Sequence, residues 1–175
     1  MKYVSASFKL TNILEKSLVF FILVLISGCY SFKGIAIPAD VNTYYIENFK
    51  NNAPQAPGDI NQRFSEALRL KIRNESRLTY NETAPDIEFS GSVSGFRLSP
   101  EAPQAGNTVA LNKVEIIVSV DFKNNKDEAK SWKKQFSFFR TFASDQDFVS
   151  IQDGLINEIF KQLLENIFND AFTGW

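Results

Sequence analysis

A run of nine apolar residues, Leu18 to Ile26, ends at Ser27-Gly28-Cys29, and this junction limits what the rest of the chain can become. Preceded by Lys2, Lys9 and Lys16, the run has the charge order of a secretory leader and is too short to span a bilayer as a mature helix. The chain therefore reads as exported, with residues 1–28 removed and 147 residues left to fold. That is the size of one domain around one hydrophobic core. Cys29 is the only cysteine, so no disulfide can staple the core, and the fold must come from burial alone.

Ile26-Ser27-Gly28-Cys29 resembles a bacterial lipobox, the pattern that is cut before the cysteine once lipid has been attached to it. Lipidation accounts for a lone cysteine in an oxidising compartment, where an exposed thiol would be a liability. Acyl chains contribute about 0.8 kcal/mol per buried CH₂, so lipid on Cys29 would hold the mature chain stably on a membrane. Residues 29–41 then read as a lipidated tether and residues 42–175 as a single domain. Tyr30, not aspartate, follows the cysteine, which resembles an outer-membrane sorting signal. Without the leader's three lysines and Glu15, 16 basic and 19 acidic residues remain, a net charge of −3 that does not suggest a nucleic-acid partner.

Thr43 to Phe49 is rich in aromatic and β-branched residues and reads as a first strand, and the stretch 51–58, with Pro54 and Pro57, reads as a loop. Asp59, with Gln62 three residues on, predicts a helix N-terminus, and Ile60, Phe64, Ala67, Leu68 and Ile72 form the helix's apolar face. Ile87, Phe89, Gly91, Val93 and Gly95 alternate with mostly polar residues and predict a strand entering a loop at Pro100 to Gly106. Val114, Ile116, Val118, Val120 and Phe122 give the clearest period-two segment, interrupted only by Ile117. Trp132 to Phe142 predicts its antiparallel neighbour across the polar loop Asn124 to Glu128. Ser150 with Asp153 approximates a capping box. Two apolar rows follow it, Leu155, Ile159, Leu163, Ile167, Ala171 and Ile156, Phe160, Leu164, Phe168, Phe172. The expected fold is α+β: an antiparallel sheet of about four strands with two helices packed on one face.

The chain has no histidine, and lipid would occupy its one thiol. This excludes His-dependent triads, His-ligated metals and thiol nucleophiles. No glycine-rich phosphate loop is present, and neither cofactor nor metal is expected. Asp86 with Glu88, and Asp145 with Asp147, are the carboxylate pairs that could serve a hydrolase; solvated acids near loops are the plainer reading, and no second motif supports glycoside hydrolysis. The expectation is a protein that is not an enzyme. The C-terminal apolar stripe fits packing on a sheet better than lying on a membrane. Its polar face carries Glu158, Glu165 and Asp170 against Lys161 alone, and anionic head groups would repel it.

Two basic groups remain. Arg69, Arg73 and Arg77, with Arg63 on the flank, lie away from the apolar face of the first helix and read as a solvated face or as contacts to phosphates or an acidic partner. Lys71 falls on the apolar side, its stem packing and its ammonium reaching water. Lys123, Lys126, Lys130, Lys133 and Lys134 cluster around the hairpin, diluted by Asp127 and Glu128. Of these, Lys126, Lys130, Lys133 and Lys134 are the candidate contacts to an anionic ligand. Trp132 and Tyr44 are the aromatics a glycan binder would expose, which is the alternative reading of this chain as a lipid-anchored ligand-binding protein.

Several strings, in their order along the chain, resemble the LptE family of lipopolysaccharide-assembly lipoproteins in its shorter form. They are Cys29-Tyr30-Ser31-Phe32 with Gly34, Phe64 with Glu66-Ala67-Leu68, Phe89-Ser90-Gly91, Gly95-Phe96, Ala110-Leu111-Asn112 and Trp175. The resemblance implies an outer-membrane lipoprotein, on the periplasmic side or within a barrel lumen, with no catalytic role. It further implies a plug inside the LptD β-barrel that assists the barrel's assembly and helps deliver lipopolysaccharide, with basic residues among the ligand contacts.

Overall fold

The computed structural model describes residues 37–101 and 110–173; the leader, Cys29 and most of the expected tether, the centre of the loop before Leu111, and Trp175 lie outside the described residues. The elements are β1 (Thr43–Ile46), β2 (Lys50–Asn51), α1 (Ile60–Glu75), β3 (Thr79–Tyr80), β4 (Ile87–Glu101), β5 (Leu111–Asn124), a 3-10 turn (Glu128–Lys130), β6 (Trp132–Ala143) and α2 (Phe148–Phe172). The last residues of the expected tether already belong to the domain. Ile37 packs on the core, Val41 is buried, and the Pro38 carbonyl accepts from Arg77 at 2.5 Å.

The α+β class holds, but the sheet is mixed and, among the described residues, has six strands, in the order β3-β1-β4-β5-β6 with β2 also on β4. The purely antiparallel, four-stranded expectation is corrected at its N-terminal half, where β1 pairs in parallel with both β3 and β4, and β2 in parallel with β4. The cause is the α1 crossover, which carries the chain back to the end from which β1 started, so the strand that follows runs in the same direction. β2 and β3 have two residues each, too short to show any periodicity.

β1 and β2 lie in succession along β4, interrupted at Glu47–Phe49, and Phe49 turns its ring into the core through that break. Its main chain is satisfied by α1: the Phe49 N–H donates to Ser65 Oγ at 2.9 Å, and the Asn61 amide donates to the Phe49 carbonyl at 2.9 Å. Ser65 is fully buried for this reason, on a helix face otherwise lined by Ile60, Phe64, Leu68 and Ile72. The ring of Phe64 joins the layers, 5.1 Å from Phe49 and 5.2 Å from Phe160 of α2. At the other end of the core, Phe89 meets Phe122 at 5.0 Å and Phe172 at 6.2 Å. Both expected rows of α2 are buried except Leu155, which is partly covered.

Helix starts differ in detail from the sequence expectation. Asp59 precedes α1 but makes no side-chain cap. α2 begins three residues before Ser150 could cap it, with Asp147 accepting from the Ser150 N–H at 3.2 Å.

The long hairpin β4–β5–β6 presents two faces. Val114, Ile116, Val118, Val120 and Phe122 point into the helix-covered core. The opposite face carries cross-strand pairs, Arg97 with Glu115, Lys113 with Glu101, Lys123 with Glu88 and Lys133 with Asp121. Ile117, the residue that interrupts the alternation, lies on this second face and is buried against Gly95, beside a bulge between Val93 and Gly95. No described helix is long and apolar enough to cross a membrane.

Candidate functional site

The hairpin end of the sheet gathers the lysines, but strand alternation separates them. Lys133 and Lys134 are neighbours in sequence and point to opposite faces of β6. Lys133 pairs with Asp121 on the open face, whereas Lys134 reaches Asp170 of α2 at 2.8 Å and sits 5.2 Å from the Trp132 ring centre. Lys126, in the turn, pairs with Asp86 at 3.0 Å. Lys130, at the end of the 3-10 turn, has no carboxylate partner among the described residues. The four candidate lysines therefore do not converge on one point; Lys130 and Lys134 do.

Between them lies a half-open pocket of about 320 Å³, walled by Phe122, Ser131, Trp132 and Asp170 together with the two lysines. Trp132 stacks on Phe122 at 5.3 Å and meets Phe136 edge-on at 5.8 Å, which sets the indole as a fixed wall. An aromatic plane beside two ammonium groups and one carboxylate suits a ring-shaped polar ligand with an anionic substituent. Asp170 was not singled out from the sequence. Its position on the polar side of α2 carries no signal until the C-terminal end of that helix is packed against Trp132. Tyr44, in contrast, is buried with its hydroxyl 3.5 Å from the Arg69 carbonyl, so it is not an exposed aromatic; its neighbour Tyr80 is.

The carboxylates considered for hydrolysis have other work. Asp86 accepts from the backbone N–H of Asn42 at 2.7 Å and of Thr43 at 3.0 Å, and from Lys126. Its own N–H donates to Thr43 Oγ1, and its carbonyl accepts from Asn125 N–H. It thus ties the start of β1, the start of β4 and the β5–β6 turn. Burial alone would raise its pKa, but the donors from Asn42, Lys126 and Thr43 outweigh burial and bring it down from 3.8 to about 2. A carboxyl ionised at neutral pH with its oxygens engaged is not a general acid. Glu88 accepts from the Asn125 amide at 2.6 Å, and Asp147 caps α2. Among the described residues no group of three potential metal ligands occurs.

The depressed Asp86 pKa has a sign that can be measured. A carboxylate with its folded pKa below its unfolded value stabilises fully above about pH 4 and loses that contribution as pH falls toward 2. With screening at the partly exposed Lys126 allowed for, the contribution is about 1–2 kcal/mol. In urea melts, Asp86→Asn should lie below the wild type by that amount at pH 6, and the gap should close toward pH 2. A gap independent of pH would show that the ionised form is not what holds the three segments together.

Three of the four arginines read from the first helix are also engaged, while Arg73 is exposed and makes no ion pair among the described residues. Arg69 donates to the Ile46 carbonyl at 3.1 Å and to Asn48 at 2.8 Å, Arg63 pairs with Asp153 at 2.8 Å, and Arg77, beyond the helix end, donates to Asn42 at 2.8 Å. Lys71 does not end in free water: its ammonium pairs with Glu75 at 2.7 Å and with Glu165, and lies 5.2 Å from the Phe168 ring centre. Burial would lower its pKa, but hydrogen bonds to Glu165 and Glu75 prevail and raise it.

Fold and site together define a two-layer α+β domain with one helix-covered sheet face, one open polar face and a lysine–tryptophan pocket at the hairpin end. The chain belongs to the lipopolysaccharide-assembly LptE family, whose model matches residues 41–171. No curated protein matches the chain in sequence. Among solved structures it is similar to a neuraminyllactose-binding haemagglutinin homologue from Helicobacter pylori, at TM-score 0.52 and 12% identity over 81% of this chain and 88% of that one. It is also similar to the hypothetical protein CT253 from Chlamydia trachomatis, at TM-score 0.50 and 8% identity over 75% of this chain and 98% of that one. Rare lipoprotein B from Shewanella oneidensis matches at TM-score 0.43 and 9% identity over 72% of this chain and 89% of that one. The first two likenesses, at these identities, are likenesses of fold.

Proposed function

We propose that the chain is a non-enzymatic outer-membrane lipoprotein, anchored through lipid on Cys29, that seats in the lumen of an LptD-like β-barrel. In that position it assists the barrel's assembly and helps insert lipopolysaccharide. The observation that carries this reading is the family match over residues 41–171, which takes in nearly the whole described domain. The dimensions agree with it. Five strands abreast give a sheet about 20 Å wide, and the 25 residues of α2 span about 37 Å. Only the large outer-membrane barrels, of about twenty strands and more, have a lumen that takes such a plug.

Lipopolysaccharide presents phosphates on sugars, and Lys130 and Lys134 beside Trp132 are the residues whose chemistry suits that combination.

The test is extraction of the lipidated protein from its native outer membrane in mild detergent. A large β-barrel is expected to co-purify in stoichiometric amount, and Cys29→Ser is expected to abolish fatty-acid labelling of the chain while the barrel still holds it. Isolation without a barrel would overturn the plug reading. The second reading, a lipid-anchored glycan binder, draws on the Trp132 pocket and on the fold shared with the Helicobacter pylori haemagglutinin homologue. It requires isolation without a barrel and sugar binding that is lost on Trp132→Ala.

A further inference from the structure

We propose that the outer edge of β6 is a docking site for an extended strand of another protein, one that carries carboxylates. Among the described residues β6 is the last strand of the sheet and pairs only with β5. The Ser144 N–H donates to the Ala110 carbonyl at 3.0 Å, which sets the phase of the antiparallel ladder. Even-numbered residues from Trp132 to Phe142 bond to β5, and odd-numbered ones turn their main-chain groups outward. Lys133, Gln135, Ser137, Phe139 and Thr141 thus present N–H and C=O groups with no partner among the described residues, whereas the next carbonyl, of Ala143, is taken by the Gln146 N–H.

Edges are ordinarily kept short, bulged, interrupted by proline or covered. The opposite edge of this sheet follows that rule, with β3 of two residues and the interrupted β1–β2 beside it. β6 does not: its 12 residues contain no proline, and its register with β5 is unbroken. The strand carries Lys133, Lys134 and Arg140 and no carboxylate. Two copies joined at this edge would set three cations against three, which disfavours self-pairing and selects an acidic strand. Lys133, Lys134 and Arg140 are now held by Asp121, Asp170 and Glu158 in exposed pairs. Such pairs are worth about 0–1 kcal/mol, so exchanging them for carboxylates on an added strand costs little. Phe139, half exposed on the open face, supplies an apolar contact for the same strand.

The proposal does not require that the partner be a barrel, and its test separates the two. The full lipidated chain, with a photo-crosslinking residue at Gln135 or, as control, at Gln62 on the outer side of α1, is irradiated in its native membrane, and the adducts are sequenced. The expected result is one adduct from Gln135 to a carboxylate-bearing segment, and none to that segment from Gln62. Ser137→Pro removes an outward N–H and leaves the β5 ladder intact, so it should cut the Gln135 adduct at least about fivefold while Ser137→Ala does not. If the proline variant fails to fold, hydrogen exchange at the Ser137 and Phe139 amides of the wild type decides: slow in the native membrane and fast after high salt supports the proposal, and fast in both overturns it. An adduct to β6 of a second copy, or one undiminished by a folded proline variant, also overturns it. A barrel captured from Gln62 alone would sink the edge proposal and leave the plug reading intact. An acidic strand of some other protein captured from Gln135 would do the reverse.

Discussion

Gly91→Ala is expected to destabilise the domain by at least about 3 kcal/mol, lowering the melting temperature by roughly 10 °C. A Cβ at this position would lie 2.1 Å from the Ser119 carbonyl oxygen and 2.8 Å from Phe49 Cε1, and the residue has φ +155°, a conformation that side chains rarely adopt. The carbonyl belongs to the backbone of β5 in the middle of the sheet, so relief would require moving the ladder. The second contact is the ring that enters through the break between β1 and β2, and it is anchored by Ser65 and Asn61. Gly95→Ala is the internal control. There a Cβ meets only the Ile117 side chain, from Cδ1 at 3.0 Å to Cβ at 3.3 Å, with no backbone atom that close, and the expected loss is smaller, about 1–2 kcal/mol. Equal melting temperatures for the two variants would mean that Gly91 is not the close-approach point of the sheet.

Phe64→Ala is expected to cost about 3–5 kcal/mol. Its ring is fully buried and is the one that touches both Phe49 from the sheet edge and Phe160 from α2, so its removal leaves a cavity where three elements meet. Domains of this size are stable by about 5–15 kcal/mol, and the variant should therefore unfold at a much lower urea concentration. Phe139→Ala removes a ring of the same size from the open face, where it is 49% exposed with Lys113 over it, and should cost under about 1 kcal/mol. If Phe139→Ala were the more damaging of the two, the open face would be a core rather than a surface.

Elements with one buried face were legible in sequence. The two rows of α2 and the alternation of β5 each repeat one environment over many residues, and periodicity reports that repetition directly. β1 beyond Ile46, β2 and β3 were not legible in the same way. Two residues have no period, and these strands exist because a neighbour supplies their hydrogen bonds. Ile117 read as an interruption because its partner is the bulge at Gly95, a feature of the pairing of two strands and not of either alone.

The candidate site shows the same division. Sequence proximity gathered Lys126, Lys130, Lys133 and Lys134 into one group, and the alternation of β6 then sent Lys133 and Lys134 to opposite faces. Asp170, 36 residues from Lys134, became part of the pocket only when α2 lay down beside Trp132. Asp86 looked like half of a carboxylate pair with Glu88. It is the knot between segments 44 residues apart, because main-chain donors at Asn42 and Thr43 converge on it.

Composition and local order were enough to determine the lone cysteine, the absence of histidine chemistry, the two helices and the long hairpin. These follow from residue type and short-range period, which need no partner to be expressed. The tertiary structure decided the direction of the N-terminal strands, the break that admits Phe49, the role of Asp86, which lysines meet at Trp132 and which edge of the sheet stays open. Each of these depends on groups far apart in the chain being brought together, and only the packing of α1 and α2 on one face of the sheet brings them there.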